Sequence, residues 1–255
     1  MNFLFYASIL SGIFAVPTDK PIVGGTPVGS PDVYPWLVAI RHTDGRGHCG
    51  GSLISPTKLL TAAHCTVNQV ESEFLAYYHR YNLKTTTASE KATTFKVKKF
   101  KVHPNYTSAS KSGYDVAIWD VERIAGPAPT VFPKLDDGSL LNVGEELKIA
   151  GWGTIEFKGS APTKMLESVV PITSDSVCVN AYPQLQSIPT TFCAGYPRGG
   201  TDTCQGDSGG PAFVSNEDGS ATVVGIVSFG NGCAMAGYPG VYTTVDSVSS
   251  WIRAN

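Results

Sequence analysis

Asp202-Thr203-Cys204-Gln205-Gly206-Asp207-Ser208-Gly209-Gly210-Pro211 is the stretch from which the rest of the chain can be read. One serine stands among three glycines, with an aspartate directly before it. Glycines gather where the backbone takes positive φ or comes close to another group. A serine held in such a turn can be exposed with amide N–H groups aimed beside it. An acyl-transfer nucleophile needs those features: a hydroxyl to attack, and donors for the oxyanion that forms. The same residues would also make an ordinary glycine-rich surface turn, so the other residues of the chain must decide.

A serine hydroxyl needs a base, usually a histidine oriented by a carboxylate. The histidines are His42, His48, His64, His79 and His103, and all precede Ser208. The α/β-hydrolase order places its histidine last, so Gly206 to Gly210 is not that fold's nucleophile elbow. The order Asp-His-Ser, with Asp32 or Asp44, would demand a parallel α/β fold, which the turn-rich pattern opposes. The order His-Asp-Ser remains. His64 ends the apolar run Leu59-Leu60-Thr61-Ala62-Ala63 and adjoins Cys65, which could pin it. Asp115 leads into Val116-Ala117-Ile118-Trp119, where a carboxylate is costly unless hydrogen-bonded, as an orienting acid would be.

The chain has 255 residues, enough for one large domain or two small barrels. Hydrophobic residues make up 42% and charged residues 16%, which supplies a core and opposes disorder. A net charge of −2 argues against nucleic acid as a partner. Phe3 to Val16 is an apolar run too short to span a bilayer but suited to a signal peptide, read as residues 1–15. Residues 16–21 read as a propeptide. A secreted, extracellular protein with no membrane span is expected. Six cysteines, Cys49, Cys65, Cys178, Cys193, Cys204 and Cys233, suit an oxidising compartment. They allow fifteen pairings. None falls in a C-x-x-C pair, which speaks against structural zinc.

Short apolar segments separated by turns run from Trp36 to Val245. They are Trp36–Ile40, Cys49–Ile54, Lys58–Ala63, Phe95–Val102, Asp115–Val121, Leu147–Trp152, Met165–Pro171, Ala212–Val214, Thr222–Phe229 and Gly240–Val245. Gly126 to Pro133 is the best linker. This spacing points to an all-β sandwich or barrel. Only the tail, Ser247 to Asn255, reads as helix, with Val248, Trp251 and Ile252 on one face.

Ile22-Val23-Gly24-Gly25, Thr61-Ala62-Ala63-His64-Cys65, Asp115-Val116-Ala117-Ile118, Gly151-Trp152-Gly153 and Gly206-Asp207-Ser208-Gly209-Gly210-Pro211 stand in the order and spacing of the chymotrypsin-like serine peptidases. The resemblance runs from Ile22 to Trp251-Ile252 and is closest to the trypsin-like subgroup. It implies two antiparallel six-stranded β-barrels packed face to face with a short C-terminal helix. The first barrel would span 22–128, the second 129–245 and the helix 246–255. It further implies a Ser208–His64–Asp115 triad, an oxyanion hole at the N–H groups of Gly206 and Ser208, and a hydrogen bond from Ser228 to Asp115. The implied disulfides are Cys49–Cys65, Cys178–Cys193 and Cys204–Cys233. After cleavage, the α-amino group of Ile22 would pair with Asp207, so the precursor would be a zymogen.

The resemblance also assigns Asp202 to the base of a pocket for Lys or Arg at the residue before the scissile bond (P1). Gly230 and Gly240 would keep that pocket open. Activation in such enzymes normally cuts after Lys or Arg. Here Pro21 precedes Ile22 and Lys20 is followed by proline, so a different processing peptidase is expected. Asn105-Tyr106-Thr107 is a glycosylation sequon. Lys96-Val97-Lys98-Lys99-Phe100-Lys101 reads as a solvated strand face, with an anion-binding exosite as the alternative. No metal and no cofactor are expected. The expected partners are protein or peptide substrates and proteinaceous inhibitors, with the enzyme a monomer. The competing function is a chymotrypsin-fold binding protein that has lost catalysis.

Overall fold

A computed structural model of the chain describes residues 22–255. The expected signal peptide (1–15) and propeptide (16–21) lie outside the described residues. Fourteen strands dominate. β1 (Thr26–Pro27) is followed by β2 (Leu37–His42), β3 (Gly47–Ser55), β4 (Lys58–Thr61), β5 (Phe74–Tyr78), β6 (Thr93–Val102) and β7 (Ala117–Ala125). Then come β8 (Lys134–Leu135), β9 (Glu146–Gly151), β10 (Leu166–Pro171), β11 (Thr191–Ala194), β12 (Pro211–Ser215), β13 (Ala221–Phe229) and β14 (Gly240–Thr244).

The first half closes as expected into a six-stranded barrel, in the order β2-β3-β4-β7-β6-β5. Closure is made by β2 pairing with β5, from Ala39 opposite Tyr77 to His42 opposite Phe74. Strand periodicity explains the interior. In β5, Phe74, Ala76 and Tyr78 are buried while Leu75 and Tyr77 are half-buried. Trp119 of β7 fills the barrel against Phe100 and Phe74, with ring centroids 4.4 and 5.5 Å away. Its indole N–H donates to Thr66 Oγ1 at 2.8 Å, so the buried ring leaves no orphan polar atom.

The second half departs from the expected second barrel. It is an eight-stranded sheet in the order β1-β10-β9-β12-β13-β14-β11, with β8 added in parallel to β13. β10 and β11 meet only at an isolated bridge, Ile172 opposite Ala194. Thr173 N donates to Cys193 O and Gly195 N to Pro171 O, both at 2.9 Å, on either side of that bridge. β11 is four residues long and pairs along its length with β14, so on its other edge the junction with β10 consists of this bridge and the two flanking hydrogen bonds.

One apolar cluster runs from the barrel into the sheet, joining Trp36, Leu37 and Ile40 to Trp152, Phe213 and Ile226. The rings of Trp36 and Phe213 meet edge-to-face at 5.0 Å. Helices are few. α1 (Ala109–Ser112) is a single turn. α2 (Asp175–Ala181) was not expected from the sequence, although Ser174 caps it through Val177 N. α3 (Val245–Ala254) is the expected tail helix and buries Val248 and Ile252. Among the described residues no helix is long and apolar enough to cross a membrane. Three of the four lysines of β6 pair with acids on β7, and Lys99 is in no ion pair among the described residues. Lys96 and Lys98 pair with Glu122 at 3.3 and 3.1 Å, and Lys101 pairs with Asp120 at 3.3 Å. That pattern is a solvated strand face on which Glu122 is shared by two lysines and Asp120 by Lys101 and Lys58.

Candidate active site

β4 and β7 are paired in register, with Thr61 opposite Ala117. Their neighbouring ends therefore deliver the residues just beyond them to one place. His64 sits in a single 3₁₀ turn, Ala63–Cys65, and Cys65 is bridged to Cys49 on β3. Asp115 lies just ahead of β7 and is fully buried. Its carboxylate accepts from His64 N at 2.9 Å and from Ser228 Oγ at 2.6 Å. It also lies 2.7 Å from His64 Nδ1. A carboxylate so surrounded is held as an acceptor. Nδ1 therefore carries the proton, and Nε2 is left with its lone pair. Thr243, which the sequence did not mark, anchors the Asp115 main chain by donating from Oγ1 to its carbonyl at 3.2 Å.

Ser208 comes from the loop before β12. Gly50 N donates to Ser208 O at 2.8 Å, tying this loop to β3 of the barrel. Gly209 has φ +76°, and a Cβ there would stand 2.1 Å from Thr61 Oγ1 and 2.8 Å from Gly50 O. This contact explains why the motif needs that glycine. Cys65 Sγ lies 3.8 Å from His64 Nε2 and 3.7 Å from Ser208 O, so the imidazole and the serine's main chain both lie against this disulfide. Among the described residues Ser208 Oγ makes no hydrogen bond to Nε2, which is common for such pairs without substrate. Gly206 has φ +104°. Among the described residues neither Gly206 N nor Ser208 N donates to a protein acceptor.

A cavity of about 240 Å³ opens beside Ser208 and is lined by Asp202, Ser228, Gly230, Gly240 and the Cys204–Cys233 disulfide. Asp202 is 4% exposed. It accepts from Thr203 N at 2.8 Å and Ala234 N at 3.1 Å. Burial still pushes its carboxyl up to about 6, with the nearby Asp207 adding to the shift. A Cβ at Gly240 would stand 2.7 Å from Asp202 Oδ1, so only glycine lets the carboxylate face the cavity. Gly230 is different: a Cβ there would meet nothing closer than 3.6 Å, and a side chain would simply enter the cavity. Tyr242 was read only as an apolar strand residue. Among the described residues its buried hydroxyl has no hydrogen-bond partner, and it lies beside the same region, since a Cβ on Gly240 would stand 3.1 Å from it.

Asp207 is buried and accepts from Gly153 N at 2.8 Å and Cys204 N at 3.0 Å. Desolvation raises its carboxyl to about 6. Cβ atoms at Gly151 or Gly153 would stand 2.2 Å from its oxygens. The motif Gly151-Trp152-Gly153 is thus a seat for this carboxylate, a role the sequence did not disclose. Ile22 is fully buried, and Val23 bridges Asp202, so the start of the described chain lies against this loop. All three expected disulfides form: Cys49–Cys65, Cys178–Cys193 and Cys204–Cys233. Asn105 is exposed in a turn. The one group of metal-ligating atom types among the described residues is Cys49, His64 and Cys65. Both of its sulfurs are in the disulfide, which removes them as ligands.

Comparison with known proteins identifies the family. The family model described as Trypsin matches residues 22–252. A trypsin of Saccharopolyspora erythraea is 38% identical over 88% of this chain and 93% of its own length. Trypsin 5G1 of Aedes aegypti is 34% identical over 94% of this chain and 86% of its own. A venom protease of Bombus pensylvanicus is 34% identical over 89% of this chain and 95% of its own. The closed first barrel, the His64–Asp115 pair beside Ser208 and these similarities have one source: the chain belongs to the trypsin family of chymotrypsin-like serine peptidases.

Proposed function

We propose that this serine endopeptidase cuts after Lys or Arg through Ser208, His64 and Asp115, and that it is made as a secreted zymogen. The observation that carries the reading is the buried Asp115 carboxylate, 2.7 Å from His64 Nδ1, with His64 Nε2 and Ser208 O both close to the Cys65 sulfur. With Nδ1–H directed at Asp115, His64 Nε2 takes the proton as Ser208 Oγ attacks the scissile carbonyl. The oxyanion is received by the N–H groups of Gly206 and Ser208. Each such donor is worth about 2.7–4 kcal/mol of barrier. His64 then gives its proton to the leaving amine, and water hydrolyses the acyl-enzyme by the same route.

Asp202 at the base of its cavity supports selection of a cationic P1 side chain through a charge-assisted hydrogen bond. Burial of Ile22 and the cation-free Asp207 support the activation step. Cleavage of the Pro21–Ile22 bond would free an amino group whose positive charge Asp207 could pair. Three disulfides fit export, and Asn105 is open to glycosylation there.

The test is a fluorophosphonate label. It should attach to Ser208 of the processed protein and not to Ser208→Ala, and arginyl amide hydrolysis should fall by about 10⁶-fold in that variant. Labelling elsewhere, or retained hydrolysis, would refute the assignment.

A further inference from the structure

A second groove, of about 580 Å³, meets the cleft at Gly206 and Gln205. It is lined by Cys49, whose disulfide partner Cys65 has its sulfur 3.8 Å from His64 Nε2. His64 hands its proton to the leaving amine, so this groove receives the residues after the cut. The cavity with Asp202 receives the residue before it.

The charges of this groove belong to this chain. Arg41 and Lys84 line it, and no aspartate or glutamate does. Lys84 is exposed, and among the described residues it is in no ion pair. Nearby acids are otherwise engaged. Asp44 pairs with Arg46 at 2.7 Å. Glu156 folds back on its own loop, where a Cβ at Gly159 would stand 2.3 Å from its Cγ. Glu90 is held 2.8 Å from the buried Arg80.

That last pair fixes the loop carrying Lys84. The Arg80 guanidinium donates to the carbonyls of Asn82, Thr85 and Thr86 at 2.9, 3.0 and 3.1 Å. Glu90 accepts from the N–H groups of Asn82 and Tyr81 at 2.7 and 3.2 Å. The loop is also latched to the second half, with Leu83 N donating to Thr163 O and Met165 N to Tyr81 O, both at 2.7 Å. Lys84 therefore lines the groove from an anchored backbone, together with Trp152 and Pro162.

We propose that this groove selects substrates with an acidic residue at one of the first two positions after the scissile bond, Lys84 and Arg41 being the selecting residues. The inference rests on the cleavage chemistry above and adds a second charge requirement, opposite in sign to that of the Asp202 cavity. Preferred sites then read as a basic residue followed within two positions by an acidic one.

The experiment uses processed enzyme and three quenched fluorescent peptides with one arginine, differing only in Glu, Ala or Lys after it. Cut positions are read by mass spectrometry. At low salt kcat/KM should favour the Glu peptide over the Lys peptide by about tenfold, the sum of weak exposed pairs gained in one and repulsions incurred in the other. The ratio should shrink towards unity near about 0.5 M salt. It should invert in Lys84→Glu and persist in Lys84→Arg. Because each ratio is taken within one enzyme preparation, partial misfolding cancels. Equal cutting of all three peptides after arginine, or a ratio that Lys84→Glu leaves unmoved, overturns this proposal alone. Labelling at Ser208 without cleavage after arginine overturns the P1 assignment, and this proposal with it.

Discussion

His64 and Asp115 stand just beyond the ends of two paired strands in a closed barrel, whereas Ser208, Asp207 and Asp202 stand on a loop of the open sheet. In the barrel, position is inherited from register. The Thr61–Ala117 pair places the two strand ends side by side, which is why residues 51 apart in sequence meet. In the sheet half no strand holds the nucleophile. The loop is fixed by two buried carboxylates taking main-chain N–H groups, by the Cys204–Cys233 bridge and by glycines pressed against the barrel. Each site is rigid, but the first is held by hydrogen-bond ladders and the second by groups whose energy depends on their charge. Disturbing the barrel side should cost turnover. Disturbing the loop side away from Ser208 should change specificity, stability and pH response.

Ser208 itself aside, the barrel side should show the largest effect. Asp115→Asn puts an amide where the carboxylate accepts from His64, favouring the tautomer with Nε2 protonated. kcat should fall by about 10⁴-fold, the cost known for this family's orienting aspartate, with KM nearly unchanged. A loss below tenfold in steady-state amide hydrolysis would show that Asp115 does not orient the base. On the loop side, Asp202→Asn should lower kcat/KM for arginyl amides by about 10²- to 10³-fold, the range for losing one partner of a buried charge pair. Fluorophosphonate labelling of Ser208 should survive in that variant. Loss of labelling would mean that Asp202 holds the loop rather than the substrate.

The seam between the halves gives a smaller effect. Gly209→Ala forces a Cβ to 2.1 Å from Thr61 Oγ1 at a φ of +76°. Strain and overpacking together should destabilise the protein by about 2–4 kcal/mol, seen as a lower urea midpoint. Gly219→Ala is the control, since its Cβ would meet nothing within 4 Å at a similar φ of +79°. Equal losses at both positions would assign the cost to φ alone and remove the contact from the account.

What the sequence disclosed follows the same division. The serine loop stood out because glycines at forced positions leave a mark, and His64 stood out as the candidate base because only five histidines compete. The second barrel was not legible as it stands, because closure depends on whether two distant strand ends form a ladder or the single bridge at Ile172 and Ala194. β5 carried a period-two signal in Phe74, Ala76 and Tyr78 that is only five residues long. β11 and α2 are shorter than any window over which periodicity accumulates, although Ser174 ahead of Asp175 was an available cap signal. Tyr242, Gly151 and Gly153 acquire meaning only through the carboxylates the fold brings to them.

The smallest effect, and the one that separates the two halves most sharply, lies in Asp207. Its carboxyl titrates near 6 in the folded chain against an ordinary 3.8, because burial is only partly offset by two N–H donors. Between those values the folded state keeps a proton that the unfolded chain has released, so stability falls as pH rises from about 4 to about 6 and stays reduced above that. At 1.36 kcal/mol per unit, this one group accounts for at most about 3 kcal/mol. Asp202 acts in the same direction, and the ion-paired Asp120 and Glu122, held below the ordinary range, act in the other. The contribution of Asp207 is therefore isolated by subtracting the urea-unfolding curve of Asp207→Asn from that of the unprocessed protein. That difference should grow as pH is lowered towards 4. In protein beginning at Ile22, a protonated amino group facing Asp207 would favour the carboxylate and pull its titration downwards. The difference should then reverse sign, with Asp207→Asn becoming the more costly as pH rises. The same slope in processed and unprocessed protein would show that the freed amino group does not reach Asp207, and would remove the activation step from the proposed mechanism.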